Sequence, residues 1–115
     1  MIELEQYQDI QIIQNTDFEN TITFEAPHDT ENYDYKVVIA PDYASSATFN
    51  LGVGSGLTKT GDQTLTMKLT DAQTDDFVDN YEGVWELVSK KTSDGTLTRE
   101  LQGDVVVSPG LVPVW

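Results

Sequence analysis

Two alternating runs on either side of a four-residue turn constrain this chain more than anything else in it. The first is Gly83-Val84-Trp85-Glu86-Leu87-Val88; the second runs from Arg99 through Leu101, Gly103, Val105 and Val107 to Pro109. Between them lies Thr92-Ser93-Asp94-Gly95, whose Asp-Gly pair is a turn signal. Apolar residues recur at every second position, the period of a strand with one buried face. The runs therefore predict a β-hairpin that must lay its apolar side on another layer. Trp85, Leu87, Leu101, Val105 and Val107 are the expected core residues, and Gly103 is expected to mark a bulge or a close approach.

The same period appears upstream. Residues 10–13 fall in a first strand that begins near Gln6, and residues 18–25 form a second with Phe18, Ile22 and Phe24 inward. Residues 33–40 form a third, with Tyr35, Val37 and Ile39 on one face and Val38 on the other; Pro41 ends it, since proline donates nothing to a sheet ladder. Residues 45–51 form a fourth, with Ala47, Phe49 and Leu51 on one side. The glycine-rich stretch that follows reads as a flexible connection. Residues 63–70 form a fifth strand, in which Leu65, Met67 and Leu69 alternate with Thr64, Thr66 and Lys68. Thr70-Asp71-Ala72-Gln73 has capping-box spacing and opens a short helix that runs to about Phe77. Residues 84–90 and 96–108 are the last two strands. The expected fold is all-β: an immunoglobulin-like β-sandwich of about seven strands with one short helix near residues 71–77. Residues 1–110 make a single sandwich domain, and residues 111–115 make an apolar C-terminal arm.

At 115 residues the chain is one domain by length. Its 20 acidic residues against 6 basic ones give a net charge of −14. Such a surface repels phosphate backbones and anionic bilayers, so neither free nucleic acid nor a membrane is an expected partner. The charge keeps the protein soluble until it assembles, or draws it to a basic partner surface or to divalent cations. There is no cysteine, so disulfides, thiolate metal sites and cysteine nucleophiles are excluded. No apolar run approaches a membrane span, and Met1-Ile2-Glu3-Leu4-Glu5 has neither the basic region nor the apolar core of a signal peptide.

Residues that could carry chemistry do not assemble. His28, the lone histidine, lies in a predicted loop, and no Gly-x-Ser-x-Gly elbow exists to partner it; it reads as a solvated loop residue. Gly52-Val53-Gly54-Ser55-Gly56-Leu57-Thr58-Lys59-Thr60 invites a phosphate-loop reading. It fails because Thr58, not glycine, precedes the lysine, and a strand rather than a helix follows. It reads as a mobile hairpin loop. Asp71, Asp75, Asp76, Asp79 and Glu82 lack calcium-loop spacing and suit the start of a short helix. Asp29, Glu31 and Asp34 read as a solvated loop. The expectation is no enzyme, no catalytic residue, no cofactor and no metal.

The second half resembles a module common in the structural proteins of tailed phages. The order is Leu65-Thr66-Met67-Lys68-Leu69-Thr70, then Asp71-Ala72-Gln73-Thr74, then Gly83-Val84-Trp85-Glu86-Leu87, then Asp94-Gly95, then Arg99 through Pro109. The resemblance covers roughly residues 62–110, and the opening strands are similar but less specific. The whole is similar to the N-terminal immunoglobulin-like domain of phage baseplate upper proteins and to related tail and neck proteins. The resemblance implies a β-sandwich without enzymatic activity, used for assembly or attachment. Family members often continue into further domains, whereas this chain stops at Trp115; that favours a stand-alone head, neck or tail decoration protein.

The expected function is therefore that of a virion structural protein, assembled in the host cytoplasm, at a tail, neck, baseplate or capsid-decoration position. Its expected partners are other virion proteins or copies of itself. Leu111, Val112, Val114 and Trp115 are candidate partner-binding residues, because an apolar end must either cover its own sandwich or dock on an adjacent subunit. Arg99 is a further candidate, since arginine is enriched at interfaces; its simpler reading is a strand residue paired with a surface acid. The alternative function is a carbohydrate- or receptor-binding sandwich, with Tyr7, Tyr33, Tyr43 or Tyr81 as a stacking platform.

Overall fold

The computed structural model describes residues 7–78 and 81–110. Eight strands follow one another: β1 (Ile10–Ile13), β2 (Phe18–Thr23), β3 (Tyr33–Ala40), β4 (Phe49–Val53), β5 (Gly56–Gly61), β6 (Thr64–Leu69), β7 (Glu82–Lys91) and β8 (Leu97–Ser108). The hydrogen-bonded order is β1-β8-β7-β3-β4-β5-β6-β2. The ladders are antiparallel except β1 with β8 and the short β4–β5 link. Inward residues of β3, β7 and β8 and those of β2, β5 and β6 share one core, so the β1-β8-β7-β3-β4 and β5-β6-β2 layers face each other.

The alternation read from sequence sets which side chains enter that core. Trp85, Leu87, Tyr35, Val37, Ile39, Leu65, Met67 and Leu69 are fully or almost fully buried, while Phe18, Phe24 and Leu101 pack against the core partly exposed. The Trp85 indole N–H donates to the Gln8 carbonyl at 2.6 Å, so the largest buried ring leaves no donor unpaired. Gly103 lies opposite Trp85, and a Cβ there would sit 2.1 Å from the Gln8 carbonyl oxygen. It is a close approach. The bulge of the β7–β8 ladder lies instead beside Leu87 and Val88.

The glycine-rich stretch departs from expectation. It is not a mobile loop but the corner where the chain leaves one layer for the other. Gly54 and Gly56 take positive φ values of 86° and 93°, which lets β4 end and β5 begin within two residues. Only Leu57 of β5 is buried, so the strand shows no alternation, and the described residues form eight strands rather than seven. The fourth strand also starts later than expected, at Phe49, leaving Ala47 exposed in a loop.

The helix α1 (Asp71–Asp75) opens on the expected capping box. The Gln73 amide N–H donates to Thr70 Oγ1 at 3.3 Å, and the Thr70 N–H donates to Gln73 Oε1 at 2.9 Å. It stops at Asp75, two residues before Phe77. Phe77 instead turns inward, with its ring 4.8 Å from that of Phe49 and 5.0 Å from that of Tyr81. This trio closes one end of the sandwich.

Candidate functional site

The outer face of β3, β7 and β8 carries the features that solvent alone does not require. On β7 the outward residues are Glu82, Val84, Glu86, Val88 and Lys90. Their neighbours on β8 are Val106, Asp104, Gln102, Arg99 and Leu97 in that order, the bulge keeping Arg99 beside Val88. On β3 they face Ala40 beside Val84, Val38 beside Glu86, Lys36 beside Val88 and Asp34 beside Lys90. Leu97 is 67% exposed and Val106 43%, so apolar area stays open at both ends.

Three shallow depressions run along this face. One, of about 410 Å³, is lined by Val38, Val88 and Leu97 together with Lys36, Lys90 and Asp34. The middle one, of about 200 Å³, lies among Val38, Tyr43, Glu86 and Arg99. The third, of about 480 Å³, is lined by Pro41, Val84 and Val106 with Glu82 and Asp104. The face thus passes from an end where Lys36, Lys90 and Arg99 outnumber Asp34 to an acidic end, with valines between.

Arg99 is the one candidate partner-binding residue within the described region. Its Nε donates to Glu86 Oε2 at 3.0 Å, and its side chain is 71% exposed. The acid expected beside it is Glu86. The other candidates, Leu111, Val112, Val114 and Trp115, lie outside the described residues. Above the middle depression, Tyr43 is 60% exposed. Partial burial and then Glu86, Asp104 and Tyr7 push its hydroxyl above the ordinary tyrosine value. Beside it, the backbone N–H of Ala44 and then the Ser45 hydroxyl hold the Asp42 carboxyl below its ordinary value. The Ala44 bond is 2.8 Å long and fixes the β3–β4 turn.

Two residues read as solvent-facing are not. His28 stacks between Phe24 and Tyr33, with ring centroids 4.2 and 4.3 Å away, and its Nε2 lies 2.5 Å from the Tyr35 hydroxyl. Burial, then the Glu100 carboxylate, raises the Tyr35 hydroxyl above its ordinary value. This aromatic stack closes the end of the sandwich opposite the Phe77 trio. Tyr81 belongs to that trio; it is buried, and its hydroxyl pairs with Thr48 Oγ1 at 2.9 Å, so it offers no stacking platform. Tyr33 gives one of its faces to His28.

Among the described residues no three His, Cys, Asp or Glu side chains converge as metal ligands would. Asp71 and Asp75 bound a one-turn helix; Asp79 lies outside the described residues. Among the described residues no helix is long and apolar enough to cross a membrane.

The sequence matches no protein-family profile and no curated protein. Solved structures do match. The extracellular domain of the voltage-gated sodium channel beta4 subunit superposes with a TM-score of 0.57 at 13% identity, covering 96% of this chain and 98% of that one. The NK cell receptor NKp44 gives 0.54 at 16% identity, over 88% and 97%. A candidate glycoside hydrolase from Bacteroides vulgatus gives 0.53 at 10% identity; it covers 90% of this chain, which spans only 17% of that protein. Likeness at these identities is likeness of fold. The chain is an immunoglobulin-like β-sandwich, held together without a single cysteine.

Proposed function

We propose that the chain is a non-enzymatic structural module of a bacteriophage virion, acting through protein–protein contacts at a tail, neck, baseplate or capsid-decoration position. The observation that carries this reading is the order of elements from β6 onward. A Leu-Thr strand, a one-turn capped helix, a Gly-x-Trp strand, an Asp-Gly hairpin and an Arg-x-Leu-x-Gly-x-Val-x-Val strand succeed one another as in tailed-phage modules. The sandwich supports it by leaving a patterned outer face. The fold is one that other proteins use for adhesion: the sodium-channel beta4 domain forms homodimers tied to cell–cell adhesion. The test is mass spectrometry of gradient-purified particles from the host that carries the gene. Peptides of this chain should co-purify with tailed particles at a fixed ratio to the other virion proteins. Their confinement to the soluble fraction would overturn the reading.

One observation favours a second reading, a carbohydrate- or receptor-binding surface. Tyr43 and Tyr7 are both exposed, and Tyr7 is among the groups near enough to help raise the Tyr43 hydroxyl, after burial, Glu86 and Asp104. Binding on a glycan array that disappears in Tyr43→Ala would support it; an array without signal would remove it.

A further inference from the structure

The outward residues of β7 form a pattern that complements itself when reversed. Glu86 is at the centre, already neutralised by Arg99. Val84 and Val88 stand two residues to either side, and Glu82 and Lys90 four, about 13 Å in each direction at strand spacing. β8 repeats the arrangement through its register. Arg99 sits beside Val88 and Asp104 beside Val84, while Leu97 sits beside Lys90 and Val106 beside Glu82.

We infer that this face is the contact between two copies of the chain, related by a two-fold axis that crosses β7 at Glu86 and sets the paired strands antiparallel. A two-fold interface apposes each patch to itself in reversed order. Reversal here lays Lys90 over Glu82, Arg99 near Asp104, Val88 over Val84 and Leu97 over Val106. Each of these four appositions is cation to acid or apolar to apolar; on the axis Glu86 meets its own copy, each carboxylate held by its Arg99, and Lys36 lies over Ala40. The parallel alternative lays Lys90 on Lys90 and Glu82 on Glu82, and like charges in contact oppose binding.

Charge explains why the occupant is a second copy. At a net charge of −14, most self-contacts set acid against acid. Three of the six basic residues, Lys36, Lys90 and Arg99, are gathered at one end of this face, where Asp34 beside Lys90 is the acid among them, and Glu82 and Asp104 lie at the other. At physiological ionic strength the screening length is about 8 Å, so these contact pairs outweigh the repulsion of distant charges. The valines and the exposed Leu97 and Val106 supply the apolar area that such a contact buries. The inference stands on the face alone and does not require the virion reading.

Sedimentation equilibrium of the full chain at about 150 mM salt tests it. The expected result is a reversible dimer in the micromolar range. Lys90→Glu and Glu82→Lys should each weaken it roughly tenfold or more, and the double variant, which reverses the pattern without destroying it, should recover most of the loss. The absence of native cysteine permits a second measurement. Leu97→Cys and Val106→Cys copies, mixed and oxidised, should form a disulfide-linked pair that neither forms alone. Circular dichroism confirms that each variant is folded. A chain monomeric to millimolar concentration, a double variant weaker than both singles, or cross-linking of Leu97→Cys to itself would each overturn the inference.

Discussion

The two layers of the sandwich hide the same kind of interior and show opposite exteriors. Behind, β2, β5 and β6 present Thr21, Thr23, Thr58, Thr60 and Thr66. Their hydroxyls satisfy one another: Thr21 with Thr66 at 3.0 Å, Thr60 with Thr64 at 3.0 Å and Thr60 with Thr66 at 3.3 Å. In front, β7 and β8 set Val84, Val88, Leu97 and Val106 among charged residues at their outward positions. Threonine and valine share a β-branched shape and suit strands equally well. Strand formation therefore does not explain the difference. A threonine surface is content in water, whereas a valine surface gains from being covered.

That contrast can be attacked at several strengths. It presumes that both layers hold one common core, so truncation on either inner face should be severe. Trp85→Ala is expected to cost about 3–5 kcal/mol and Met67→Ala about 2–5 kcal/mol, read from urea unfolding midpoints. A mild effect at Met67 would mean that the rear layer is only an appendage. Next comes Gly103→Ala, whose new methyl must push the Gln8 backbone away. It should cost roughly 1–3 kcal/mol and loosen β1, seen as faster amide exchange in Ile10 and Ile12. Outer-face changes should be smaller and should differ in kind. Thr66→Ala behind removes hydroxyl pairing and should cost about 0.5–1 kcal/mol. Val88→Thr in front should change monomer stability by less than about 0.5 kcal/mol while weakening self-association. If both substitutions gave the same profile, the two exteriors would be equivalent after all.

The smallest effect concerns an interior hydroxyl. Tyr35 titrates higher in the folded chain than in the unfolded one. Its contribution is therefore intact below the ordinary tyrosine value of about 10 and declines as pH rises from there toward the folded value. Unfolding midpoints followed into alkali should show that decline, and Tyr35→Phe should flatten it.

Much of the fold could be read from the residues because alternation and capping are local. Trp85, Leu87, Met67 and the Thr70–Gln73 box each declare themselves within a few positions. β5 did not, because one buried residue in six gives no period and its glycines imitate a loop. His28 looked solvated because Phe24 and Tyr33 reach its two faces only after the intervening loop closes. Tyr81 looked exposed because its neighbours in sequence are polar, while Thr48 and Phe77 approach it from elsewhere. The front face was half visible. Alternation tells which residues point outward, but the pairing of Arg99 with Val88 depends on a bulge that leaves no mark in the sequence. That one-residue offset decides whether the reversed pattern matches.

The short strand β1 has a consequence of its own. It pairs with β8 over only four residues, Ile10 to Ile13, yet it is what shields the long flank of β8. Trimming it away would uncover a row of unsatisfied amide groups, an invitation to any extended peptide. A shortened chain would then be prone to pair that open flank with an exposed edge of its neighbour, and a well-behaved domain would become a link in a growing thread.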